Sequence, residues 1–234
     1  MKLRKIMAVV YKQMLDTAAL KSIAVQFLLY PVLLLIFTAG REEGSHISLI
    51  SILVSLFIGS SPMLTVNSII REDKHSGALR AMMLASVHPS EYMVGISLFM
   101  LGISTLTATL IGLVGKLPIG MLPLFVLAMA LCSVLTILLG CAASLRTANQ
   151  SNAVLFISAF SLVNGMIPVL EIMHPSLRAV TRFWYTQQIK DMTAQLYSGC
   201  RDTMLVGFIV IGINLLVVLA ALFFTYRKSR LFES

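Results

Sequence analysis

The chain has 234 residues, of which 58% are hydrophobic and only 12% charged, so it has too little polar surface to clothe a water-soluble globule. Its formal net charge is +8, but Lys and Arg fall in short clusters beside apolar blocks, a placement that suits lipid headgroups and argues against a basic nucleic-acid-binding face. The apolar residues gather in runs of roughly 18 to 24, each long enough to cross about 30 Å of hydrocarbon as a helix.

At the start, Leu3, Met7, Val10 and Met14 recur at helical spacing while Lys5, Lys12 and Asp16 occupy other faces. That pattern predicts an amphipathic helix lying in a membrane interface over residues 1–20. Lys12 and Asp16 interrupt the apolar stretch before any small-residue cleavage site, which argues against a removable signal peptide. The first apolar block runs from about Ser22 to Ala39 with Pro31 inside it, and Arg41, Glu42, Glu43 and Gly44 end it. Block two runs from about Ile47 to Ile70 with Pro62 in its middle, and block three from about Tyr92 to Val114. Between them lies the polar stretch Arg71 to Glu91, the longest polar connector on its side.

A tight turn around Lys116, Pro118 and Gly120 leads to block four, which ends near Ala143; Ser144 to Gln150 is a short polar loop, and block five follows from about Asn152 to Leu170. Residues 171–202 mix Arg178, Arg182, Lys190 and Asp191 with Trp184, Tyr185 and Tyr197. Amphipathic aromatics among charges belong at a membrane–water boundary, as short helices dipping partway in. Block six, about Thr203 to Tyr226, closes on Arg227, Lys228 and Arg230.

The expected fold is an all-α membrane protein, a single transmembrane domain over residues 1–234 with six spans. The N-terminal interfacial helix, a connector over 71–91 and a re-entrant segment over 171–202 complete it. Six spans place both termini on one side, and twelve of the eighteen Lys and Arg residues lie there. The excess marks that side as cytoplasmic in a multi-pass plasma-membrane protein, with 171–202 outside.

Catalytic chemistry is missing. No GxxxxGK[ST] phosphate loop occurs, so any ATP-driven role needs a partner chain. His46, His75, His88 and His174 sit near block ends or in connectors, and none pairs at metal-ligand spacing with Cys, Asp or Glu. Cys132 and Cys141 share a block and Cys200 stands alone, which implies no disulfide framework. An intramembrane serine protease would place its nucleophile at Ser60 or Ser61, yet no His lies mid-membrane to serve as base. Gly59, Ser60 and Ser61 beside Pro62 read as close helix packing instead. Ionisable residues inside the spans are almost absent, which counts against a proton or sodium relay.

The connector reads Ile69-Ile70-Arg71-Glu72-Asp73-Lys74-His75-Ser76-Gly77-Ala78-Leu79-Arg80-Ala81-Met82-Met83-Leu84-Ala85-Ser86-Val87-His88-Pro89-Ser90-Glu91. Ser76 is placed to cap a short helix, Leu79, Met82, Met83 and Ser86 share one face, and Pro89 marks a stop. This stretch resembles the signature of the ABC-2 type permease family, in which an acidic residue, a Gly, a Leu-containing short helix and a Pro follow the second span. Here those are Glu72, Gly77, Leu79 and Pro89, with Ala78 where the family often has Thr. The resemblance implies a coupling helix, with Arg80, Met82 and Met83 beside those residues, that sits in a cleft of a separate ABC ATPase carrying ATP and Mg.

It further implies a second permease subunit, identical or related, and export of a hydrophobic or amphipathic substrate: an antimicrobial or amphipathic peptide, a drug or a lipid-linked molecule. No cofactor is expected on this chain. The alternative is a transporter-like membrane sensor or immunity partner that moves nothing itself. For the pathway, Phe156, Phe160 and Asn164 follow at i, i+4 and i+8, aromatic side chains with one polar group that suit an amphipathic substrate. Plain helix packing through Asn164 is the other reading, and Asn67 and Asn214 are read the same way.

Overall fold

A computed structural model of the chain describes residues 3–19, 21–39, 47–146, 150–199 and 204–228. Arg41, Glu42, Glu43, Gly44, His46, Cys200 and Arg230, all used above, lie outside the described residues. Among those described, all regular structure is helical. In chain order the helices are α1 (Leu3–Ala19), α2 (Lys21–Thr38), α3 (Ile47–His75), α4 (Ala78–Leu84), α5 (Pro89–Val114), α6 (Leu122–Arg146) and α7 (Gln150–Met173). After a 3-10 turn (Pro175–Leu177) come α8 (Arg178–Thr181), α9 (Tyr185–Tyr197) and α10 (Met204–Lys228).

Five described helices are long and apolar enough to cross a membrane: α3, α5, α6, Leu155–Met173 of α7 and Met204–Ala221 of α10. These helices are hydrophobic nearly all round, as expected where one side meets protein and the other lipid. The remaining apolar block, α2, has a shorter apolar piece at Ile23–Thr38, roughly 24 Å at 1.5 Å per residue. Its outward residues Val25, Leu28, Leu29, Val32, Leu35 and Ile36 are exposed, while Phe27 and Leu34 turn inward. Phe27 and Tyr30 meet Phe57 of α3 edge to face at 5.7 and 5.3 Å.

The core is built around α3, which packs most extensively on α7 and α6 and then on α9. Where α3 meets α7, a Cβ added to Gly59 would lie 2.5 Å from the Cα of Gly165. Where α6 meets α3, a Cβ on Gly140 would lie 3.2 Å from the Cα of Met63. In lipid, where apolar side chains gain little from leaving the solvent, such backbone-to-backbone approach is what dispersion attraction needs. The expectation that Gly59 and its neighbours serve packing is met in this seam. Ser60 Oγ donates to the Leu56 carbonyl and lies 3.0 Å from the Tyr30 hydroxyl.

α1 has two working faces. Ile6, Val9 and Gln13 are buried, with Val9 so near α5 that a Cβ on Gly95 would lie 2.7 Å from it. Leu3, Met7, Tyr11 and Met14 are exposed, the apolar stripe that an interfacial helix presents to lipid. Lys5 and Lys12 fasten this helix to the α3–α5 connection. The hairpin Pro175–Tyr197 packs into the opposite half, where Tyr197 reaches Gly115 at the end of α5 and, deeper in, the Phe183 carbonyl accepts from Asn214 near the middle of α10.

Candidate functional site

At the connector end, the polar stretch after block two resolves into the last turn of α3, the short helix α4 and the first turn of α5. α3 continues five residues beyond Ile70 because Asp73 is buried and fully bonded. Its carboxylate accepts from Lys12 Nζ, from Gln13 Nε2 at 2.9 Å and from Tyr92 Oη at 2.7 Å. One side chain thus ties α1, α3 and α5 together. Burial alone would lower the pKa of Lys12, but hydrogen bonds and charge from Asp16 and Asp73 reverse this and leave it raised.

Gly77 takes the left-handed conformation at φ 74° and breaks α3 from α4, a conformation that a Cβ disfavours. Ser76 is not the cap: Gly77 occupies that position, and Ser76 Oγ only accepts a long bond from the Ala78 N–H at 3.4 Å. α4 ends in a left-handed residue, Ser86 at φ 63°. The Ser86 N–H donates to the Met83 carbonyl at 2.9 Å and the Val87 N–H to the Met82 carbonyl at 3.1 Å. This is the Schellman arrangement, with its usual apolar pair supplied by Met82 and Val87, both packed on the core. Lys5 donates to the Ser86 carbonyl and so holds that end against α1. Pro89 does not stop α4. It is the first residue of α5, where the missing N–H costs nothing, and Glu91 accepts from the His88 N–H at 3.1 Å.

No residue of α4 is fully buried, yet its faces differ. Leu79 and Met82 lean on the core, whereas Arg80, Ala81, Leu84 and Ala85 are exposed, Leu84 by 81%. The apolar face expected to point outward is therefore half turned inward, with Met83 at its edge. The outward position of Leu84 is not legible in the sequence, because no periodicity over seven residues distinguishes the face toward the bundle from the face away from it. Glu72 is exposed on the last turn of α3. Together with Lys12, Asp16, Asp73 and Ser76 it lines a cavity of about 360 Å³ between α1 and the connector.

Near the middle of the bundle a second polar centre forms around Asn164. Its Nδ2 donates to the Gly59 carbonyl at 3.2 Å and to Tyr185 Oη, and its Oδ1 accepts from Trp184 Nε1 at 2.5 Å. Pro168, four residues on, has no N–H to give the Asn164 carbonyl, and Thr186 Oγ1 donates there instead at 3.0 Å. Three successive residues at the start of α9 are thus keyed to one residue of α7. Two turns further along α7, Glu171 accepts from Gln187 Nε2 at 2.9 Å and pairs with Lys190, with Arg178 at 3.6 Å. Burial pushes the nearby Asp191 carboxyl up, against the pull of Lys190.

Asn164 therefore points into the bundle, while Phe156 is 62% exposed and stacks on Phe160 with ring centroids 6.2 Å apart. The three pathway candidates share a helix but not a surface. Asn67 meets Ser144 of α6 at 3.1 Å, and Asn214 donates to the Phe183 carbonyl at 2.8 Å. Cys132 and Cys141 are free thiols in the core. Among curated proteins none matches the chain. The ABC-2 family transporter protein model does match, from residue 2 to residue 226, so the chain belongs to the ABC-2 family and is a membrane permease of an ABC transporter.

Proposed function

We propose that the chain is the transmembrane permease subunit of an ABC exporter that pairs with a second permease subunit and moves a hydrophobic or amphipathic substrate. ATP and Mg are held by a separate ATPase chain, and α4 is the coupling helix that this ATPase grips. The observation that carries the reading is the form of α4: a seven-residue helix with no buried residue, set between Gly77 and a Schellman end and braced by Lys5. A rigid, exposed element of this kind transmits force without first being ordered by its partner. Arg80, Met83 and Leu84, with Glu72 nearby, form the gripped surface; Gly77 and Pro89 set its bounds; Leu79 and Met82 seat it.

In this reading α2 is the sixth span, its short apolar piece matched by local thinning of the bilayer. Both termini face the cytoplasm, residues 171–202 form the outer re-entrant segment, and the exposed Phe156 and Phe160 line the pathway against the second subunit. Asn164 supports α9 from behind.

The test is affinity purification from native membranes in mild detergent, comparing the natural chain with Leu84→Asp/Arg80→Glu. An ATPase with a phosphate loop is expected with the natural chain and lost with the variant, while the detergent-solubilised bundle keeps its thermal stability. Recovery of the natural chain with no ATPase would overturn the reading in favour of a sensor or immunity partner.

A further inference from the structure

Between α7 and α9 the chain runs as a strip of thirteen residues, 172–184, from the end of α7 down to Trp184 beside Asn164, all exposed except the half-buried Thr181. Six large apolar side chains stand on it: Ile172 and Met173 at 52% and 68% exposure, Leu177 at 40%, Val180 at 74%, Phe183 at 56% and Trp184 at 36%. A patch of this kind is covered by something when the protein is in its working environment. The strip contains no Asp or Glu and carries Arg178 and Arg182. These arginines lie one helical turn apart, with the Arg182 N–H donating to the Arg178 carbonyl at 3.1 Å.

Leu177, Val180 and Phe183 fall on the side of that turn away from the two arginines, and the Arg182 guanidinium sits 4.7 Å from the Phe183 ring centroid. Apolar residues on one side and two exposed cations on the other, only Arg178 facing a carboxylate, Glu171 at 3.6 Å, match the boundary between acyl chains and phosphates. A second copy of this strip fits poorly, since two strips without carboxylates would bring arginines against arginines.

We propose that residues 172–184 are a lipid-anchoring arm, with the apolar side chains in the acyl region and Arg178 and Arg182 clamping the phosphate of an anionic phospholipid. Arg178 pairs with Glu171 only at 3.6 Å and is 72% exposed, and Lys190 continues to neutralise Glu171 when Arg178 turns to a phosphate. Bidentate guanidinium–phosphate contacts supply the selectivity and apolar burial the affinity. The inference needs only that the chain is embedded in a bilayer, and it stands or falls independently of the ATPase.

The experiment uses the full chain in nanodiscs. In one arm, the Val180→Trp/Trp184→Phe variant is excited in lipid brominated near the headgroup end of its chains and, separately, with iodide in the water. Strong quenching by the brominated lipid and little by iodide is expected. Quenching by iodide alone, or by neither, would overturn the anchor, the second outcome meaning that protein covers the strip. In the other arm, native mass spectrometry compares retained phosphatidylglycerol with phosphatidylcholine for the natural chain and for Arg178→Gln/Arg182→Gln. A preference for phosphatidylglycerol that falls roughly tenfold or more in the variant is expected, and an unchanged preference would overturn the clamp.

Discussion

Ser86 is a non-glycine residue held at φ 63° because the Schellman turn at the end of α4 requires a left-handed residue there. Ser86→Gly relieves that strain and should raise the unfolding free energy by about 1 kcal/mol, seen as a higher melting temperature in detergent. Asn164 is the opposite case. It is 1% exposed and satisfies Trp184, Tyr185 and the Gly59 carbonyl at once. Asn164→Leu leaves the Trp184 Nε1–H without its acceptor and the Gly59 carbonyl and Tyr185 Oη without this donor, and should cost roughly 2–4 kcal/mol, first visible as faster proteolysis within 171–202. The Thr186 bond survives that change because it goes to the backbone. That Asn164 faces inward was not legible from the spacing of Phe156, Phe160 and Asn164. A turn of helix carries about 40° of drift between i and i+4, enough to move the third residue from the surface into the seam.

Among the elements, the long spans could be read from the length of their apolar runs, because membrane thickness leaves few other ways to use eighteen consecutive apolar residues. Their ends were less legible. α3 runs past Ile70 to His75 because Asp73 finds Lys12, Gln13 and Tyr92, partners distant in sequence. The seam at Gly59 and Gly165 permits a direct test: Gly59→Ala drives a Cβ into backbone that cannot swing aside and should destabilise by about 1–3 kcal/mol. For α4, the inward lean of Leu79 separates it from Leu84. Leu79→Asp should lower the melting temperature, whereas Leu84→Asp should leave it unchanged and act only on a bound partner.

For the molecule as a whole, the hold of α1 on the bundle depends on a charged Lys12. Its pKa lies above the usual 10.5 in the fold, so the stability it confers is fully present below 10.5 and is lost as pH rises through the higher folded value. Stability compared between the natural chain and Lys12→Met should differ by a constant amount from pH 6 to pH 9 and converge only in strong alkali; convergence near neutrality would remove Lys12 from this role. The amphipathic pattern of α1 was legible from its stripe of apolar residues, but its grip on Asp73 was not, since 61 residues separate Lys12 from that carboxylate.

The close approach of α3 and α7 at Gly59 and Gly165 falls near mid-length of α3, with Pro62 and Pro168 three residues further along each helix. Two rods pinned near their middles behave as scissors: spreading the handles draws the blades apart on the far side of the pivot as well, unless each rod bends at the pivot. The prolines sit where such a bend would occur, so each half can swing without forcing the other. Spin labels near Lys74 and Gln150 at one end, and near Ile47 and Met173 at the other, would then show distance changes that are independent in size. A strict proportionality between the two would mean that the rods are stiff and that Gly59 and Gly165 act as a simple fulcrum.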